Sequence, residues 1–141
     1  MTGRDVARVL NTGRIALGAA LMLAPRRTAR GWIGADADAP GATALARALG
    51  VRDAVLGAMG LHTMDNPQVA PRWQRTLALC DGVDLAATLA VRRSLPPVGV
   101  ALTVAMAGVA TGAQLWAAGQ LGKIEPAPES VFPAKRPSQR V

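Results

Sequence analysis

Apolar residues along this chain gather into four long segments instead of the short alternating runs of strands. They cover residues 6–24, 42–61, 73–91 and 95–119. A helix crosses the ~30 Å hydrocarbon layer of a bilayer with about 20 mostly apolar residues, so each segment has a spanning length. The last is the clearest. From Ser94 to Gly122 there is no charged residue. Pro96 and Pro97 open it, where a missing N–H costs little, and Trp116 lies near its far end, as an interfacial aromatic would. The other three carry charge: Arg8 and Arg14 with Asn11 in the first, Arg47, Arg52 and Asp53 in the second, Arg75, Asp81 and Asp84 in the third.

Short linkers rich in Pro, Gly, Asp and Arg separate the segments, and such residues end helices. Residues 25–40 hold Arg26, Arg27, Arg30, Trp32 and the turn-like Gly34–Asp38. Residues 63–72 hold Asn66-Pro67 and Pro71, and Arg92-Arg93-Ser94 reads as a tight turn. The three tryptophans all fall at segment boundaries. The pattern predicts an all-α protein: a four-helix transmembrane bundle over residues 1–122, followed by a disordered or extended, basic, Pro-rich tail over 123–141. Arg4, Arg8 and Arg14 ahead of Ile15–Ala24 partly imitate a signal peptide. That run leads into Pro25-Arg26-Arg27 without a small-residue cleavage site, so it is read as a retained first helix.

Composition agrees. Half the residues are apolar and 18% are charged, against a usual ~25%. Tyrosine is absent, and the apolar half is mostly small, as helix packing in lipid favours. The net charge of +7 comes almost wholly from arginine. Those arginines flank apolar segments in place of lining one face of a nucleic-acid-binding motif, which points to the bilayer and its anionic head groups as partners and away from nucleic acid. Four spans place both termini on one side. That side carries Arg4, Arg8, Arg72, Arg75, Lys123, Lys135, Arg136 and Arg140, against Arg26, Arg27, Arg30, Arg92 and Arg93 on the other. The positive-inside rule then predicts a multi-pass protein of the cell membrane with cytoplasmic termini.

The charges inside the segments are the candidate site. Aligning the segment midpoints brings Arg14, Arg52, Asp53, Asp81 and Asp84 to similar depth, with Arg47 about 7.5 Å away along its helix at ~1.5 Å per residue. Three positive and three negative groups sum to zero. Each costs about 2.5–3.5 kcal/mol at a helix centre, so six unpaired would cost on the order of 15–20 kcal/mol. They are therefore expected to face inward and pair. Asp81 and Asp84 share a helical face. A guanidinium fork could bridge them, with Arg52 and Arg14 as the preferred partners and Arg47 reaching towards an interface. One reading of the cluster is structural. The other is chemical, with Asp81, Asp84 and Asp53 as candidate acids or as binders of a proton, cation or polar group.

Small residues suggest close helix contacts: Ala46, Gly50, Ala54 and Ala58 form a ladder on the second segment, and Gly108 and Gly112 form a GxxxG pair on the fourth. Cys80, the only cysteine, reads as a small buried hydrophobe, and His62 lacks partners for a metal. No nucleophile elbow, metal motif or phosphate loop occurs, so no cofactor or metal is expected.

The run Arg47-Ala48-Leu49-Gly50-Val51-Arg52-Asp53-Ala54-Val55-Leu56-Gly57, with Gly13-Arg14 and the later Asp81 and Asp84, resembles a family of small multi-pass membrane proteins that carry a domain of unknown function. These have four helices, a G-x-R-D-x-x-L-G element in the second and an aspartate in the third. The likeness spans roughly Arg8 to Leu121 and implies that Arg52-Asp53 and Asp81 are family features; it implies no activity. Three functional readings remain open. The chain could be a non-catalytic or accessory membrane component, a homo-oligomer or a partner within a membrane complex. It could be a membrane-embedded enzyme or small-molecule binder. It could be a soluble all-α protein with one greasy core helix.

Overall fold

A computed structural model describes residues 1–123, and all but Lys123 of the expected tail lies outside the described residues. Those residues form five α-helices and no strand. They are α1 (Gly3–Leu23), α2 (Pro25–Ile33), α3 (Pro40–His62), α4 (Ala70–Ala90) and α5 (Pro97–Leu121), joined by short 3-10 turns at Gly34–Asp38, Thr63–Asp65 and Arg92–Ser94. Four helices coincide with the four apolar segments. The fifth, α2, corrects the expectation of an irregular linker over residues 25–40. Pro25 sits at its start, where its fixed φ suits a helix. Pro25 and Ala29 are buried and Trp32 and Ile33 half-buried, while Arg26, Arg27 and Arg30 are exposed. That spacing is helical and amphipathic, so a loop is not what the residues prefer.

Helix ends follow local chemistry. Thr2 caps α1 through a reciprocal pair of bonds with Asp5, which satisfies two otherwise orphan donors. Proline in the first turn opens α3, α4 and α5. Gly34, the one residue with positive φ among those described (+66°), turns the chain after α2 and lies against Pro96 at the start of α5. Arg30 clamps the same corner by donating to both carboxylate oxygens of Asp38 at 2.6 and 2.8 Å.

Two antiparallel pairs, α1 with α3 and α4 with α5, make the bundle, and α1 meets α5 between them. The α1–α3 contact is built from glycine. A Cβ on Gly50 would sit 2.6 Å from the Gly18 carbonyl oxygen, and one on Gly57 would sit 2.7 Å from that of Asn11. Such approach needs residues without side chains. The buried positions of α3 are Ala46, Gly50, Asp53, Gly57 and Gly60, spaced alternately by four and three. The expected ladder of every fourth residue is thereby corrected, for Ala58 is exposed. Steps of four drift by 40° per step around a helix of ~3.6 residues per turn, so the ladder leaves the contact face. Gly108 and Gly112 face open space, with no heavy atom within 4 Å of an added Cβ.

Two helices, α1 and α5, are long and apolar enough to cross a membrane. The interior of the bundle is layered. Its apolar part divides into a cluster around Ala7, Met64, Ala70, Ala117 and Leu121 at one end and a cluster around Leu21, Ala29, Ala37 and Ala46 at the other. Between them lies a polar layer.

A buried charge network beneath an apolar cavity

Three helices deliver five charges to that layer. Arg14 projects from the middle of α1, Arg52 and Asp53 from α3, and Asp81 and Asp84 from α4. Arg14 Nη1 donates to Asp53 Oδ1 at 3.1 Å, and its Nη2 donates to Asp81 Oδ1. Arg52 uses both terminal nitrogens on Asp84, at 2.5 and 3.3 Å, and its Nη2 also reaches Asp53 at 3.3 Å. One guanidinium therefore ties α1 to both α3 and α4, and the other adds a fork between α3 and α4. The side chains of Arg14, Asp53 and Asp81 are nine-tenths buried, whereas those of Arg52 and Asp84 are more than a third exposed. The network thus has a dry core and a wetter edge.

Five of the six charges singled out from the sequence meet, in a different pairing from the one expected. No single guanidinium bridges Asp81 and Asp84; Arg14 bridges Asp81 to Asp53 instead. Arg47 lies outside the network, exposed and without an ion pair among the described residues. Five residues on from Arg47, Arg52 points about 140° away around the helix, so the two cannot share a face. Without Arg47 the group holds two arginines and three aspartates. The expected neutrality becomes an excess of one negative charge.

Uncharged residues complete the layer. Gln114 on α5 is 2% exposed and donates from Nε2 to Asp81 Oδ2 at 2.9 Å, which brings the fourth long helix into the network. Its Oε1 has no partner. Asn11 donates to the Ala7 carbonyl at 2.8 Å, and Trp73 Nε1 donates across from α4 to Leu56 on α3 at 3.3 Å. Gln114 was not foreseen. Its only signal was an amide in a segment without charge, where a polar group needs a neighbour.

Alongside the network runs a cavity of about 590 Å³. It lies between α1 and α5 on the side of α2, away from the end where Ala7 and Ala117 share a buried cluster. Leu17, Leu21, Leu102 and Met106 are among its apolar walls. Arg14, Asp53, Asp81, Asp84 and Gln114 form its polar side, and Trp32 lines it from α2. The volume lies within the ~300–1,000 Å³ of small-molecule sites, and a mostly apolar wall with a few convergent polar groups is their usual make-up. No cluster of His, Cys, Asp and Glu suited to a metal occurs among the described residues.

Comparison with family models, curated proteins and solved structures finds no match for this chain. The likeness read from Arg47–Gly57, Gly13-Arg14, Asp81 and Asp84 rests on those residues alone. What fold and site define is a class: an all-helical bundle with an ion-pair layer across its middle and a greasy cavity beside it.

Proposed function

We propose that the chain is a multi-pass integral membrane protein in which α1, α3, α4 and α5 cross the bilayer and α2 lies along one surface. It serves there as a non-catalytic membrane component, with the Arg14–Asp53–Asp81 and Arg52–Asp84 pairs holding its helices in register. The observation that carries this reading is the inverted distribution of side chains. The largest fully buried residues are Leu77, Gln74, Gln114, Asn11 and Thr88, four of them polar. Outside, Leu45, Leu79, Val98 and Val109 are each more than two-thirds exposed. Only 11% of the most apolar window of α5 is buried, whereas the core helix of a soluble protein would be mostly covered. In lipid the arrangement is favourable, because apolar side chains face hydrocarbon and the five charges of the network face one another, while the exposed Arg47 can reach towards an interface.

Arg26 and Arg27 on the exposed face of α2, with Arg92 and Arg93 at the α4–α5 turn, supply cations for anionic head groups on that surface. The N-terminus and the C-terminal end of α5 share the opposite surface, and the basic residues that follow α5 in the sequence favour cytoplasmic termini by the positive-inside rule. Fractionation after lysis without detergent, followed by an alkaline carbonate wash, tests the reading. The protein should stay in the membrane pellet through the wash. Recovery in the supernatant would overturn the assignment and favour a soluble bundle whose exposed apolar faces need another cover.

A further inference from the structure

The cavity beside the charge network opens sideways. Val9 on α1 and Leu102, Met106 and Val109 on α5 line it and are also more than half exposed, so they form a rim between the two helices. If α1 and α5 span the bilayer, as proposed above, that rim faces acyl chains and an apolar molecule can enter from the lipid. The inner side of the cavity is acidic. Both guanidinium groups already spend their terminal nitrogens on Asp53, Asp81 and Asp84, and one negative charge is left over. A buried charge without a counter-ion is costly. What the wall still offers is the partly exposed Asp84 carboxylate and, covered by neighbouring atoms, the unpartnered Oε1 of Gln114. Gln114 Nε2 is already given to Asp81. A head group fitting this side carries one positive charge and donates hydrogen bonds, as a primary ammonium does with its three N–H groups. At the α2 end the Nε1 of Trp32 also lacks a partner, a lone donor that a neutral or anionic head would choose.

We propose that this cavity is a binding site for a single-chain amphiphile with a primary ammonium head, entered laterally from the membrane between α1 and α5, the head resting against Asp84 and Gln114. The proposal rests on the membrane reading. The two fail separately, because fractionation decides membrane residence before any ligand is added.

The test uses the full chain in nanodiscs of zwitterionic lipid, with Trp73→Phe and Trp116→Phe so that Trp32 is the sole fluorophore. Dodecylamine, dodecanol and dodecanoic acid, each brominated at the end of the chain, are titrated in turn as quenchers. The amine should quench Trp32 saturably, at concentrations about tenfold or more below the other two, a difference of ~1.4 kcal/mol. Asp84→Asn should bring the amine down to the level of the alcohol. Gly13→Leu should abolish saturable quenching by the amine. Gly13 lines the cavity and an added Cβ there meets nothing within 4 Å, so the new side chain occupies the space without disturbing the backbone. Equal quenching by all three probes would mean partition into lipid and no site. Preference for the alcohol would mean that a proton balances the network, and preference for the acid would place the head at Trp32. Each of these outcomes, or amine quenching that survives Gly13→Leu, overturns the proposal.

Discussion

Replacing Arg14 with leucine removes the one cation that touches both Asp53 and Asp81. All three side chains are about nine-tenths buried, so solvent does little to compensate. Breaking a buried ion pair by deleting one partner costs about 3–5 kcal/mol, mostly because the remaining charge is stranded. Here Asp81 keeps its bond from Gln114 and Asp53 keeps a longer one from Arg52, which places the expectation near the lower bound, at about 3 kcal/mol. That is more than a hundredfold in the folding equilibrium. Titrating purified protein in mixed dodecylmaltoside and SDS micelles, with helicity followed by circular dichroism, measures the loss. The triple variant Arg14→Leu, Asp53→Asn, Asp81→Asn leaves no stranded charge and should recover most of it, since neutral replacements of buried ion pairs are often tolerated. Arg47→Leu, at an exposed position without an ion pair, should change stability by less than about 0.5 kcal/mol. An Arg14→Leu variant within about 1 kcal/mol of the parent, or a triple variant weaker than the single one, would refute the role given to this arginine.

Gly50→Val should weaken the same unfolding transition by about 1–3 kcal/mol, because the added carbons collide with the backbone of α1 at Gly18 and force the pair apart; an unchanged midpoint would show that α1 and α3 do not approach so closely. Gly112→Leu meets open space and should shift that midpoint by less than about 0.5 kcal/mol in monomeric protein. A larger loss there would mean that this face of α5 is covered in the folded chain.

The four long helices were legible because each is a long and mostly apolar stretch bounded by helix-ending residues, and length then sets the element. The short helix α2 was missed by reading residues 25–40 for hydropathy. Its signal lay in period: Pro25, Ala29, Trp32 and Ile33 on one side, Arg26, Arg27 and Arg30 on the other. Matching depth in neighbouring segments brought Arg14, Arg52, Asp53, Asp81 and Asp84 together on paper. Depth is one coordinate and angle around the helix is the other. Neglecting angle drew Arg47 into the group and left Asp53 out of the α1–α3 contact, where it occupies a buried position between Gly50 and Gly57. The pairing itself depends on how α1, α3 and α4 are arranged about one another, which no single segment encodes. The cavity between α1 and α5 likewise takes part of its wall from α2, whose end packs so closely on α5 that a Cβ on Gly99 would lie 2.2 Å from the Trp32 carbonyl oxygen.

Eight of the twelve buried apolar residues among those described are alanine, and this has a consequence for tolerance to mutation. In a water-soluble domain the damaging changes are those that shrink the core, because they open voids. Here the centre has little left to shrink, and it fails when something is enlarged. A saturation scan should therefore show size forbidden along the seams and, with lipid covering the outer faces as proposed, polarity forbidden there and free exchange among aliphatic residues at Leu45, Leu79 and Val109.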